Sequence, residues 1–194
     1  MTPFLQEREY TPEDLLGLPD GPRFELIDGR LVERAMGAMS SRVGMRIGSL
    51  LDAHVLPNNL GLVFGSDCGY QIFPNYPNRV RYPDVSFVAR GRLPQDEPPQ
   101  GHVRIPPNLA IEVSSPNDTS DELDEKIEEY LGAGVPLVWV IHPLTPSLTV
   151  YRADRSANRL RPEDELSGEN VVLGFKCRVA ELFAGLTGHK TQKG

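Results

Sequence analysis

Three charged side chains stand in stretches that otherwise read as core. Glu112 lies within a run in which Leu109, Ile111 and Val113 alternate with Ala110 and Glu112 at the period of a pleated strand. A buried, ionised carboxylate there needs a cation, a proton or several donors, because uncompensated burial is costly. Asp84 heads the apolar run Val85, Phe87, Val88 directly after Pro83, although Asp is depleted from strands. An Asp capping a strand from a turn is the locally commoner source of that pattern. Lys126 falls on the flank of a helical apolar stripe, from where its amine can reach back towards the sheet. A lysine is a compact charge that can approach a metal-bound water or a scissile phosphate, and its pKa responds to its surroundings as that of Arg does not. The plainer reading is a solvated lysine among Glu122, Glu125 and Glu129, making exposed helix pairs worth a few tenths of a kcal/mol.

The elements that must position these groups follow from local pattern. Thr119 with Glu122 three residues on is a capping box, and Leu123, Ile127, Tyr130 and Leu131 form one helical stripe that ends at Gly132 and Gly134. The apolar run Val135 to Ile141 then predicts a β-α-β unit over 108–143, with the two strands parallel and the crossover right-handed. Upstream, Thr11-Pro12-Glu13-Asp14 predicts a helix start, and Asp28-Gly29 between two strand-like runs predicts a type I′ hairpin. Glu25 stands on the first hairpin strand, where local sequence favours an ordinary strand carboxylate paired with an Arg.

Ser40 or Ser41 is the expected cap of a longer helix bearing Val43, Ile47, Leu50, Leu51 and Val55 on one face before Pro57. Its interior Gly44 and Gly48 cost about 1 kcal/mol each relative to Ala, which calls for the close approach of another backbone. A strand interrupted by Gly65 and Gly69 is expected from Leu62 to Phe73, and another from about Asp84 to Ala89. The Pro-rich 91–107 segment between the Asp84 and Glu112 strands reads as a surface loop bordering the site. Two antiparallel strands are expected around 148–152 and 160, a strand pair or bulged strand over 170–179, and a short helix from Ala180 to Ala184.

Bulk properties bound the answer. With 194 residues and 39% hydrophobic content, one domain over 1–186 with a disordered tail at 187–194 is the expectation. The formal charge of −7 argues against coating nucleic acid by bulk electrostatics but leaves room for a local basic groove. There is no membrane-length apolar run and no signal-peptide pattern at the N-terminus, so a cytoplasmic protein with no membrane partner is expected. Cys68 and Cys177 read as separate reduced thiols. The usual phosphate-loop, dinucleotide, acyl-transfer and zinc signatures do not occur. Of 20 basic residues the first lysine is Lys126, and every earlier one is Arg.

Pro83-Asp84 at the head of one strand, Glu112 within the next and Lys126 on the following helix resemble the PD-(D/E)XK nuclease superfamily. More narrowly, FELIDGRLVE, YPDVSFV, LAIEVSSPND, DELDEKIEEYLGAGV and VWVIHP are similar in order and spacing to the Uma family of putative restriction endonucleases, over about residues 10 to 184. The resemblance implies an α/β, mixed-sheet, restriction-endonuclease-like core with an N-terminal hairpin and flanking helices. It implies that Asp84, Glu112 and the Val113 carbonyl hold Mg²⁺ or Mn²⁺, whose preference is for oxygen donors. Lys126 would orient the attacking water or neutralise the phosphate, and Glu25 matches the glutamate of the family's early motif, a further metal-binding candidate. DNA is the implied substrate, and the family likeness together with the exposed hairpin implies a homodimer. Two positions depart from the pattern: Ser114 stands where the superfamily's lysine usually lies, and Gly44 where many members carry a His.

Two functions are consistent with these residues: a metal-dependent endonuclease cleaving DNA phosphodiesters, and a catalytically silent module of the same fold that binds nucleic acid or protein. Metal titration separates them, since only the first requires Asp84 and Glu112 to bind Mg²⁺ or Mn²⁺.

Overall fold

The computed structural model describes residues 8–34, 37–116 and 118–186; the expected disordered tail lies outside them. The chain runs α1 (Pro12–Gly17), β1 (Phe24–Ile27), β2 (Arg30–Glu33), α2 (Ala38–Val55), β3 (Gly61–Phe64), β4 (Val85–Ala89), β5 (Leu109–Val113), α3 (Ser120–Gly132), β6 (Leu137–His142), β7 (Ser147–Arg152), β8 (Ala157–Leu160), β9 (Glu165–Ser167) and β10 (Lys176–Arg178). A mixed six-stranded sheet has the order β3-β4-β5-β6-β7-β8. Its pairs are antiparallel except β5 with β6, which the α3 crossover makes parallel, in register Glu112↔Val140. The parallel β-α-β unit expected over 108–143 is thus present.

Helices on both faces explain why β5 and β6 are almost wholly buried and, apart from Glu112 and His142, apolar. On one face, Val43, Ile47, Leu51 and Val55 of α2 pack with Phe87, Leu109, Ile111 and Trp139. On the other, Ile127 and Tyr130 of α3 pack with Ala110, Val138 and Val140. Trp139, the single tryptophan, is fully buried beside Phe175, and its indole N–H has no acceptor among the described residues. Fully burying an aliphatic or aromatic side chain contributes roughly 1.5–3 kcal/mol, so these two layers hold the sheet.

The expected capping box of Thr119 with Glu122 forms at α3, and Thr11, at the expected helix start, forms one with Asp14. The hairpin turn has φ of 49° at Asp28 and 80° at Gly29, the positive pair that type I′ requires. Helix α2 starts earlier than expected, at Ala38, and neither Ser40 nor Ser41 caps it; Gly37 is the N-cap residue and makes no side-chain bond. A Cβ on Gly44 would lie 3.8 Å from Asp84 Cβ and 4.0 Å from Val113 Cγ2, and one on Gly48 would lie 3.6 Å from Val85 Cγ2. Side chains of β4 and β5, not another backbone, are therefore what approaches this helix.

The expected strand over 62–73 stops at Phe64. Beyond it the segment is held by two single bridges at Tyr70, one to Arg81 and one to Val103. The expected pair or bulged strand over 170–179 is also shorter, since Glu169–Phe175 turns back with φ +76° at Gly174 and only Lys176–Arg178 pairs, with Glu165–Ser167. The last short helix is a 3₁₀ segment, Val179–Phe183.

Candidate active site

The register of β4 and β5, Phe87↔Leu109 through Val85↔Ile111, places Asp84 opposite Glu112 when continued by one residue. Asp84 stands just before the paired strand, with its Cβ towards Gly44 of α2. Asp84 Oδ2 accepts the Val113 amide at 2.7 Å, while Oδ1 lies 3.9 Å from Arg34 Nη2. The same continuation puts Pro83, which has no N–H, opposite Val113.

Helix α3 supplies the next contacts. Lys126 and Tyr130, four residues apart, share the face towards β5. Tyr130 donates its hydroxyl to Glu112 Oε1 at 2.9 Å, and Lys126 Nζ lies 3.7 Å from Glu112 Oε2 and 3.1 Å from Glu25 Oε1. Lys126 is therefore mostly buried and directed at the sheet, not solvated among its helix neighbours.

Glu25 arrives through the hairpin. The Leu26↔Val80 bridge sets β1 beside the 79–82 segment, so Arg81 Nη1 donates to Glu25 Oε2 at 2.8 Å and the Tyr82 amide to Oε1 at 3.4 Å. Arg81 also grips Glu129 with Nε at 2.8 Å and Nη2 at 3.0 Å. Arg79 joins Glu129 to Asp28, the latter at 2.7 Å. The result is a chain of alternating charge, Asp28–Arg79–Glu129–Arg81–Glu25–Lys126–Glu112, almost all of it buried. The structure thus gathers Glu25, Glu112 and Lys126 by direct contact and sets Asp84 close enough to raise the pKa of Glu112.

Protonation follows from these contacts. Burial pushes Glu112 up to about 7; Lys126 opposes this, and Asp84 and Glu25 add to it. Burial also raises Asp84, against the Val113 amide, Arg34 and Lys126, with Asp118 pushing upward. Burial would raise Glu25 as well, but Lys126 and Arg81 outweigh it and hold the carboxyl below its usual range. For Lys126, burial favours the neutral amine, but Glu112 and Glu25 prevail and keep it charged.

Asp84 is the one of these four residues that lines a cleft of about 1030 Å³ bounded by Arg23, Arg34, Ser41, Gly44 and Ser66. Arg34 is a residue that reading the sequence missed. It donates to the carbonyls of Pro22, Ser66 and Tyr82 at 2.9, 2.8 and 3.2 Å and lies over the Tyr82 ring. Tyr130, Arg81 and Glu129 were missed too. Tyr130 reads as part of an apolar stripe and Glu129 as a surface acid, but Arg79-Val80-Arg81, two arginines flanking a valine just before Asp84, is a signal that buried carboxylates lie nearby.

Among the described residues, no three His, Cys, Asp or Glu side chains form a metal-binding group by themselves. Asp84, Glu112 and the Val113 carbonyl offer fewer donors than a protein cage but fit Mg²⁺, which retains several waters and commonly uses one or two carboxylates. Burial is the leading cause of the upward shift in both acids, and Lys126 opposes it in each.

A mixed sheet with acids at the facing ends of two neighbouring strands and a lysine on the crossover helix defines a restriction-endonuclease-like fold. The fold is similar to that of the crystal structure of a putative nuclease belonging to DUF820 from Anabaena variabilis ATCC 29413, at 22% identity and a TM-score of 0.74, covering 89% of this chain and 97% of that one. The Uma2 family model, described as "putative restriction endonuclease", matches residues 12–180. The chain belongs to this family, and membership supports a nuclease function in general terms. No curated protein matches it. No helix among the described residues is long and apolar enough to cross a membrane.

Proposed function

We propose that this protein is a Mg²⁺- or Mn²⁺-dependent endonuclease that hydrolyses DNA phosphodiester bonds. The observation that carries this reading is Glu112: a buried carboxylate with Asp84 across the strand pair and Lys126 Nζ at 3.7 Å. Asp84, Glu112 and the Val113 carbonyl would hold the cation, which when bound lowers the pKa of a coordinated water and offsets charge on the phosphate.

The chain's own groups do the rest. Lys126, kept protonated by Glu25 and Glu112, presents a positive charge for a non-bridging phosphate oxygen or the attacking water. Glu25, with one oxygen taken by Arg81 and the other by Lys126 and the Tyr82 amide, orients the lysine; this assigns it a positioning role in preference to metal binding. Arg81 and Glu129 brace Glu25, and Tyr130 fixes the Glu112 carboxylate plane. Arg34 restrains Asp84 from the cleft side. The exposed β2 strand, with Val32 43% accessible, supports the hairpin as the contact of a homodimer, which light scattering would measure.

Incubation of supercoiled and linear DNA with Mg²⁺, Mn²⁺ or EDTA tests the reading. Metal-dependent cleavage that disappears in Glu112→Gln is the expected result. Metal binding and cleavage both absent from wild type would leave the silent DNA- or protein-binding module of the same fold.

A further inference from the structure

The sheet register continues beyond the carboxylates. Glu112 pairs with Val140, Val140 with Thr149, and Thr149 with Arg159, so Glu112, Thr149 and Arg159 share one row on the α3 face. Three strand spacings separate the ends of that row, about 14 Å. One step nearer the end of the sheet, Ser114 Oγ lies 3.2 Å from His142 Nδ1, and His142 Nε2 lies 3.5 Å from Thr149 Oγ1. Arg159 donates through Nε and Nη2 to Ser147 Oγ at 3.2 and 2.9 Å and through Nη2 to Thr145 Oγ1 at 3.4 Å. Its remaining nitrogen, Nη1, has no acceptor among the described residues.

The composition of this patch differs from that of its surroundings. The neighbouring site holds Asp84, Glu112 and Glu25, and the chain carries a formal charge of −7. Here the groups are hydroxyls, an imidazole and a guanidinium. Burial and Arg159 act on His142 and no carboxylate does, and Arg159 has hydroxyl partners where most arginines of the buried network have acids. Asp124 reaches this side of the sheet, where it acts on Tyr151 together with Thr149 and Arg159, and the Ser114 hydroxyl also meets the Ile141 carbonyl at 3.3 Å, but among the described residues no carboxylate touches the hydroxyl, imidazole and guanidinium groups themselves, the kinds of group a phosphate oxygen needs.

We propose that Ser114, His142, Thr149 and Arg159 form an anion subsite that holds a backbone phosphate of the DNA strand a short distance along from the bond at Glu112. This deepens the nuclease reading and rests on it for the identity of the ligand. The preformed contacts to Ser147 and Thr145 hold the Arg159 guanidinium in place, so little side-chain freedom is lost when the phosphate arrives.

Fluorescence anisotropy of a labelled 20-base-pair duplex with the full chain in EDTA, at several salt concentrations, tests the subsite apart from cleavage. Arg159→Ala should weaken binding by roughly 5- to 10-fold and lower the salt slope by about one phosphate contact. Arg159→Lys should retain most of the affinity. Ser114→Ala and His142→Gln should each weaken binding by a smaller factor. Arg159→Glu, on the same exposed strand, should weaken it further than Ala, with thermal melts of both variants matching wild type. Wild-type affinity and slope in Arg159→Ala would overturn the subsite, as would absence of DNA binding by wild type. Arg159-dependent binding with no cleavage in Mg²⁺ or Mn²⁺ would uphold the subsite and overturn the nuclease reading. Cleavage with an unchanged KM in Arg159→Ala would do the reverse.

Discussion

Asp84 Oδ2 accepts the backbone amide of Val113 at 2.7 Å, so the carboxylate at the head of β4 supplies the acceptor at the end of β5. This structural duty of Asp84 is separable from the metal binding proposed for it. Asp84→Asn retains a carbonyl oxygen for the Val113 amide while losing charge, so its melting temperature should equal or exceed wild type and Mg²⁺ binding, measured by calorimetry, should be lost. Asp84→Ala leaves the amide without its acceptor and should cost about 1–3 kcal/mol. Equal stability losses in Asn and Ala would show that the charge itself is structural.

Glu112 makes metal-free stability depend on pH in an unusual direction. Its folded pKa, about 7, lies above the ordinary 4.5, so between those values the folded state holds more protons than the unfolded state. Stability from this group is therefore full below pH 4.5 and declines as pH rises to 7, by roughly 3 kcal/mol. Glu25 has the opposite sign: its folded pKa is lowered, and its contribution is lost as pH falls below the ordinary range. Urea unfolding in EDTA at pH 5 and pH 7.5 should show the decline, and Glu112→Gln should flatten it. Added Mg²⁺ should raise stability most at the higher pH, by binding the ionised form.

Lys126→Ala should abolish cleavage while preserving Mg²⁺ binding, because the lysine touches Glu112 without replacing its oxygens. Two buried carboxylates then lose their shared cation, and a loss of about 3–5 kcal/mol is expected at pH 8. Near pH 5 the loss should shrink, since Glu112 there carries a proton. A destabilisation independent of pH would argue that the side chain contributes through packing alone.

Arg81 bridges Glu25 and Glu129 with both acids almost fully buried. Arg81→Met should cost about 3–5 kcal/mol through the stranded charges, which chemical denaturation would measure. Gly44 presents the contrasting case. An added methyl there would meet Asp84 Cβ at 3.8 Å, an ordinary contact, so Gly44→Ala should fit and raise helix stability by up to about 1 kcal/mol. A fall in melting temperature would show that the cleft wall cannot shift at all.

Much of this was legible in the chain because the signals are local. Thr119 with Glu122 sets the start of α3, the apolar run 135–141 sets β6, and the order of the two gives the parallel crossover. Glu112 is visible as a polar intruder in a strand and Lys126 as a charge at the edge of a stripe. What stayed hidden depends on partners distant in sequence. Glu25 meets Arg81, 56 residues on, only because Leu26 bridges Val80, a contact with no periodicity to announce it. Tyr130 supplies the right spacing for a core residue, and spacing is silent about where its hydroxyl points. His142 carries no local signal for the same reason: its neighbours, Ser114 and Thr149, are set by sheet register.

The lone tryptophan turns the core into its own optical reporter. Trp139 lies on β6, paired with Ile111 of β5 on one side and Val150 of β7 on the other, under α2 and beside Phe175. Its emission should be blue-shifted in the native state and move to the red only when the central strands separate. A probe so placed is insensitive to fraying of the hairpin or the outer strands, so agreement between its transition and that of far-ultraviolet dichroism would establish that sheet, helices and carboxylate cluster come apart as one cooperative unit.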